Sequence, residues 1–381
     1  YYRLQNSGVK IPAWFGLSAK VGYQNTNGVF LNPEANTPSQ GLVYGEVSAT
    51  VLRGLFIDER RAVLKQARLM QEASEAERQL FLNELLKDAS YAYWQWYEAY
   101  QEVEIFTEAI ELALVRFRAV KISAAIGELP TIDTLEAKIQ YQNRLLSLKK
   151  AREKLNKARQ NMATFLWLDG QVPLELEVTT VPLYTLPDLS NVGLINWDDN
   201  SDHPLLRFYE LKVDQLEIEQ RLNREQLKPQ LDLSYKFLGT PTTAPNPELM
   251  YSPENYAWGL SAGFPLFLRK QRGAIQKTGV KIMDTRMELD LKRRKLVTKI
   301  EALQNNLAIT AERLNEQRQV TQNYRQLLRA EVIRFENGES SLFLINQREL
   351  KYLESQEKLV ALEAQIHQQI AELKALAALL I

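Results

Sequence analysis

VYGEVSATVLRGLFIDERRAVLKQA, residues 43–67, changes its hydrophobic period part-way along. Val43, Val47, Ala49 and Val51 point one way, and Tyr44, Glu46, Ser48 and Thr50 point the other. A period of two marks a strand with one apolar face. From about Leu55 the period becomes helical and stays so for roughly sixty residues, with no proper loop expected at the join. Compact soluble domains seldom run a strand straight into so long a helix. A barrel continued end-on by a helical tube needs such a junction. The stretch has a twin in WGLSAGFPLFLRKQRGAIQKTG, residues 258–279, where Trp258, Leu260, Ala262, Phe264 and Leu266 alternate with Gly259, Ser261, Gly263 and Pro265 before a helical run. Ala274 follows Ala62 by 212 positions, so the sequence reads as one design written twice.

Composition narrows the possibilities. Lys+Arg and Asp+Glu both number 47, which leaves no net charge and no global basic bias towards nucleic acid. The run Lys292–Lys295 (KRRK) reads as a solvated helix face. There is no cysteine, which excludes disulfides, thiolate metal sites and a cysteine nucleophile and fits a bacterial envelope protein. No run of eighteen apolar residues exists, so no transmembrane helix is expected, whereas alternating barrel strands stay possible. The sequence begins at Tyr1. A helix-like run, Pro204–Leu227, precedes the second strand pair, but only Tyr1–Lys10 stands before the first. A helix, or most of one, is therefore expected upstream of Tyr1, and a signal peptide, if there was one, is absent from this sequence.

The first repeat spans 1–202. Its strands are predicted at about 14–25 and 43–54, its helices at about 55–123 and 132–168, and its linker at 169–202. The loop 25–40 is rich in Asn, Gly, Pro and Thr. The first helix carries a heptad seam of Leu82, Leu85, Ala89, Ala92, Trp96, Ala99, Val103, Phe106, Ile110, Ala113 and Phe117. At ~1.5 Å per residue that helix is roughly 100 Å long. Gly127 and Pro130 end one helix and start the next, which places Leu148, Ala151, Leu155, Ala158, Met162 and Phe165 on the apolar side of an antiparallel return. Prolines 173, 182 and 187 break the linker, and Asp202 is placed to cap the next helix.

The second repeat spans 203–381. It is predicted to have a helix at about 204–227, strands at about 230–238 and 256–267 around a loop at 239–255, and helices at about 273–336 and 342–380. Leu289, Leu296 and Leu303 lie seven apart, as do Ile345, Tyr352, Leu359, Ile366, Leu373 and Leu380. The fold class expected is mainly α with a β-barrel part. Four strands with open edges cannot stand in lipid, where every backbone group must be paired. Three chains of four strands would close a twelve-stranded barrel, with Trp14, Tyr23, Tyr235 and Trp258 near the interfaces. The alternative is a soluble four-stranded sheet packed on helices.

Five segments in this order resemble the TolC-like outer membrane efflux proteins: GLFIDERRAVLKQA (54–67), GELPTIDTLEA (127–137), HPLLRFYELKVDQLEIEQRLNREQLKPQLDLSY (203–235), GLSAGFPLF (259–267) and FENGESSLFLINQRELKYLESQ (335–356). The resemblance covers nearly the whole chain. It implies a homotrimer with a β-barrel in the bacterial outer membrane and a helical barrel across the periplasm. Such a trimer is an exit duct joined through a periplasmic adaptor to an inner-membrane pump. It also implies that Gly127, Glu128, Leu129 and Pro130, with Gly338, Glu339, Ser340 and Ser341, form the periplasmic tips that meet the adaptor. The family's acidic slot, six positions past the tip glycine, holds Asp133 in the first repeat and Leu344 in the second, with Gln347 three further on. Asp133 and Glu136 are the candidate gate acids, and helix capping is an equal reading of Asp133.

No catalytic, cofactor or metal site is expected. His203 and His367 lie in different repeats without carboxylates at ligand spacing, and no nucleophile, phosphate-loop or nucleic-acid platform stands out. The aromatics Tyr91, Tyr93, Trp94, Trp96, Tyr97 and Tyr100 read chiefly as packing. The functional expectation is a passive duct and no enzyme. The exit channel of a type I protein secretion system and a non-transporting coiled-coil scaffold stand as alternatives.

Overall fold

The computed structural model describes residues 1–13, 16–29, 31–32, 36–185, 203–241 and 254–380. Strands β1 (Tyr2–Pro12), β2 (Leu17–Gly28) and β3 (Leu42–Thr50) precede helices α1 (Glu59–Ala125) and α2 (Thr131–Ala163). A two-stranded hairpin follows, β4 (Trp167–Leu168) with β5 (Val172–Pro173). Then come α3 (Pro204–Glu225), β6 (Gln230–Gly239), β7 (Tyr256–Gly263), α4 (Arg269–Glu336) and α5 (Leu342–Leu376). No described helix is long and apolar enough to cross a membrane. Trp14, Pro187 and Asp202, together with parts of the predicted loops and linker, lie outside the described residues. The chain divides into two compact units, Tyr1–Ala76 with Leu206–Leu291 and Glu77–Leu205 with Lys292–Ile381.

The first unit holds an antiparallel sheet in the order β1-β2-β3-β6-β7. Register puts Leu17, Ala19, Val21 and Tyr23 of β2 on one face with Val43, Val47 and Ala49 of β3. Leu233, Tyr235 and Phe237 of β6 and Tyr256, Trp258 and Leu260 of β7 continue that face. Most of it is bare, with Trp258 68% and Val21 61% exposed. The other face is polar. Lys20, Glu46 and Lys236 line up across three strands, Ser18 and Ser48 bond at 2.6 Å, and Thr50 donates to Asp232 at 2.8 Å. Tyr44 is buried there, with the Lys20 and Lys236 ammoniums 5.1 and 5.2 Å from its ring.

Two expectations are corrected here. The sheet has five strands, where four are predicted. Tyr2–Pro12 escapes a periodicity search because its apolar residues change face, from Tyr2 and Leu4 to Val9 and Ile11. The strand-to-helix join is also a real connection. Thr50 ends β3, and Val51–Asp58 turn before α1 starts at Glu59. Val51 and Arg53 still donate to Leu231 and Pro229 (2.8 and 3.1 Å), so the chain stays paired alongside the start of β6 as it turns. Asp58 caps α1 by accepting from the Arg61 N–H at 2.8 Å, and Arg61 returns to the carbonyls of Gly54 and Leu55. Helix α3 packs along this start, with Ile57, Ala62 and Ile218 buried together, and pairs Arg286–Glu217 at 2.7 Å with α4.

The second unit is helical apart from the β4–β5 hairpin. Helix α1 buries two stripes. Trp96, Ala99 and Phe106 pack on Leu148, Ala151 and Ala158 of α2, along the predicted seam. Trp94, Tyr97, Ile105 and Ala109 pack on Leu353, Val360 and Ala364 of α5. A long helix with two neighbours needs two apolar stripes, which accounts for the crowded aromatics. Helices α4 and α5 meet through Leu296, Ile300, Leu303, Leu307 and Leu314 against Leu362, Ile366 and Leu373. Each such side chain contributes about 1.5–3 kcal/mol of transfer free energy.

Candidate functional site

The two helix-to-helix turns are built alike. Helix α1 ends with Gly127 at φ +83°, whose N–H reaches Ala124 O (3.2 Å) while the Glu128 N–H reaches Ser123 O (2.9 Å). Helix α4 ends with Gly338 at φ +76°, whose N–H reaches Phe335 O (2.9 Å) while the Glu339 N–H reaches Arg334 O (2.8 Å). Both are Schellman caps, in which a left-handed residue satisfies the last carbonyls. A Cβ at either glycine would meet nothing within 4 Å, so it is the backbone angle that demands glycine. Pro130 and Ser341 then occupy the N-caps of α2 and α5 without a side-chain cap bond. The turns lie side by side, with Val120, Ala137 and Leu342 buried among Phe117, Leu129 and Phe335. Ile126, Ile132, Leu135 and Phe343 remain exposed around them.

Above the turns three helices share one buried carboxylate. Glu349 of α5 pairs with Arg116 of α1 and faces Arg144 of α2 at 3.6 Å. Asn346 donates to Glu136 at 2.9 Å and accepts from Arg116 at 3.4 Å. At the second turn Ser340 donates to Glu331 at 2.6 Å, and Arg348 approaches the other oxygen at 3.4 Å. The Ser340 hydrogen bond, with Arg348 and Arg334 nearby, holds the Glu331 carboxyl below the usual carboxylate range. Farther from the turns, His367 stacks on Trp94 with ring centroids 3.6 Å apart, and burial pushes its imidazole down to about 4. Tyr184 of the inter-repeat linker closes that cluster, and Tyr93 Oη donates to the Leu183 carbonyl at 2.8 Å.

Residues 200–379 match the family model described as outer membrane efflux protein. The second half of the chain is therefore similar to outer membrane efflux proteins. No curated protein matches the chain. Its fold is similar to that of the CmeC outer membrane channel of Campylobacter jejuni, at TM-score 0.70 and 11% identity over 100% of this chain and 78% of that one. The outer membrane protein VceC of Vibrio cholerae is similar at TM-score 0.71 and 17% identity, over 99% and 87%. The open-state MtrE channel of Neisseria gonorrhoeae is similar at TM-score 0.67 and 14% identity, over 99% and 80%. The chain thus has the TolC-like channel fold.

The residues expected at the tips from the sequence fall on the two turns. Gly127 and Gly338 set the caps, Glu128 and Glu339 supply cap N–H groups, Leu129 packs inward, and Ser340 bonds Glu331. The two candidate gate acids separate. Glu136 is tied to Asn346, whereas Asp133 stands in the first turn of α2, where a negative charge suits the helix dipole. Asp133 cannot complete a capping box, because the N-cap Pro130 has no N–H to offer. Sequence reading missed Arg116, Arg144, Asn346, Glu349 and Glu331. A signal existed: Arg144 lies four before Leu148 and Glu349 four after Ile345, so both charges sit at core spacing. Among the described residues no group of three or more His, Asp or Glu could hold a metal.

Proposed function

We propose that the chain is one third of a passive exit duct in a tripartite efflux system. Three copies lend β2, β3, β6 and β7 to a twelve-stranded barrel and their helix pairs to a periplasmic tube. The reading rests on one observation: a bare apolar face crosses four strands whose other face is polar, as lipid outside and water inside demand. The turns at Gly127–Pro130 and Gly338–Ser341 form the tube's closing tips, and the exposed Ile126, Ile132, Leu135 and Phe343 suit docking by a periplasmic adaptor's helical hairpins. An inner-membrane pump supplies the energy, and the chain performs no chemistry. The adaptor opens the tip only by binding the open state more tightly than the closed one.

Conductance in planar bilayers tests this, together with particle mass in detergent. The expected result is a trimeric mass and a small conductance that rises when the Glu349 cluster is broken. A monomeric mass with no pore in either form would refute the duct.

A further inference from the structure

Strand β1 occupies the edge of β2 along its whole length, from Tyr2 opposite Gly28 to Pro12 opposite Ser18. At the other end of the sheet β7 has no second neighbour among the described residues. Every adjacent pair is antiparallel, so β1 and β7, four places apart, run in the same direction. Copies joined β7 to β1 would meet through parallel seams. Strands β2 and β7 run in opposite directions. Joined directly, they form an antiparallel seam of the kind that links every other pair.

The faces point the same way. On the side where β2 presents Ala19, Val21 and Tyr23, β1 presents Ile11, Val9 and Ser7, and its Gln5 and Arg3 lie opposite Asn25 and Asn27, where β2 is itself polar. On the polar side β1 presents Leu4 and Tyr2. Within the apolar band β1 therefore covers Ala19 and Val21 with apolar side chains but meets Tyr23 with Ser7. By contrast, β7 presents Tyr256, Trp258, Leu260 and Ala262 on that face. Gly8 lies opposite Gly22, so neither contributes a side chain there, and the cross-strand side-chain tie to β3 is the Tyr44 hydroxyl donating to Asn6 at 2.7 Å.

We infer that β1 is a displaceable cover: it pairs with β2 in the single chain and gives up that edge to β7 of a second copy on assembly. The exchange returns one ladder of backbone hydrogen bonds for another, so it costs little enthalpy. It also protects an edge that would otherwise pair indiscriminately. The inference rests on the trimeric duct reading.

The chain has no cysteine, so engineered disulfides are unambiguous. Val9 and Val21 are register partners, and V9C/V21C locks β1 in place; Val47 and Tyr235 are register partners in the retained sheet, and V47C/Y235C is the control lock. Trimer yield is read by mass in detergent, oxidised and reduced. The expected result is at least a tenfold loss for oxidised V9C/V21C, recovered on reduction, with the control unaffected. Deleting residues 1–12 should leave the yield at or above that of the intact chain. Equal trimer from oxidised V9C/V21C, or a tenfold loss on deletion, overturns the displacement while leaving the duct intact. No trimer from the unmodified chain overturns both.

Discussion

Replacing Glu349 with glutamine removes the one carboxylate that α1, α2 and α5 share above the turns. Its side chain is 5% exposed and that of Arg144 8%, so neither charge can turn to water. Removing one partner of a buried pair costs about 3–5 kcal/mol. Arg116 is 20% exposed and recovers some hydration, which places the cost near the low end, about 3 kcal/mol. That corresponds to a roughly 150-fold change in a local opening equilibrium. Hydrogen exchange on the detergent-solubilised protein reads this directly, because local openings have their own free energies. Peptides covering 112–120 and 342–353 should lose about a hundredfold in protection, while those around Leu303 and Leu307 hold. The triple replacement R116M/R144M/E349L should restore most of it, since an apolar substitute removes the stranded charges. Protection unchanged within about threefold in E349Q would refute the idea that this cluster clamps the hairpins.

G127A and G338A place a Cβ at φ +83° and +76° with nothing to clash against, so each should cost about 1–2 kcal/mol of backbone strain, less for asparagine, read by exchange at the turn. Glu331 has a depressed folded-state value, so its contribution is present above the ordinary carboxylate value of 4.5 and is lost as pH falls below it. S340A should raise the Glu331 carboxyl titration, measured by NMR, and an unchanged value would count against the Ser340 bond as its main cause. His367 is neutral when folded, so stability is whole above pH 6.5 and declines as pH falls towards about 4, by at most about 3 kcal/mol. H367Q should flatten the acid dependence of exchange at 93–97 over that window, and an unaltered slope would mean that another group titrates. D58A removes the α1 N-cap and should cost about 1 kcal/mol, seen as faster exchange from Glu59 to Val63.

Much of the architecture is visible in residue order alone, because it follows from periods. Alternation at 43–51 and 258–262 specifies strands with one apolar face, steps of three and four from Trp96 to Phe117 specify a helix seam, and a glycine followed by a proline or serine ends one helix and begins another. These signals are local, so no distant contact is needed to read them. What the periods could not convey depends on neighbours. Strand β1 has no constant face and exists because β2 offers an open ladder. The join at Val51–Asp58 is held by Arg61 and by Glu225, which lies far away in sequence and accepts from the Gly54 N–H at 3.2 Å. The second stripe of α1 becomes legible only when α5 lies beside it. Arg116, Arg144 and Glu349 come from three helices, and a charge at core spacing reads as a fault until its partner arrives from elsewhere in the chain. Residue order therefore determined the elements and their faces, while tertiary packing decided which charges meet and which edge is covered, since pairing energies arise only between groups already brought within a few ångströms.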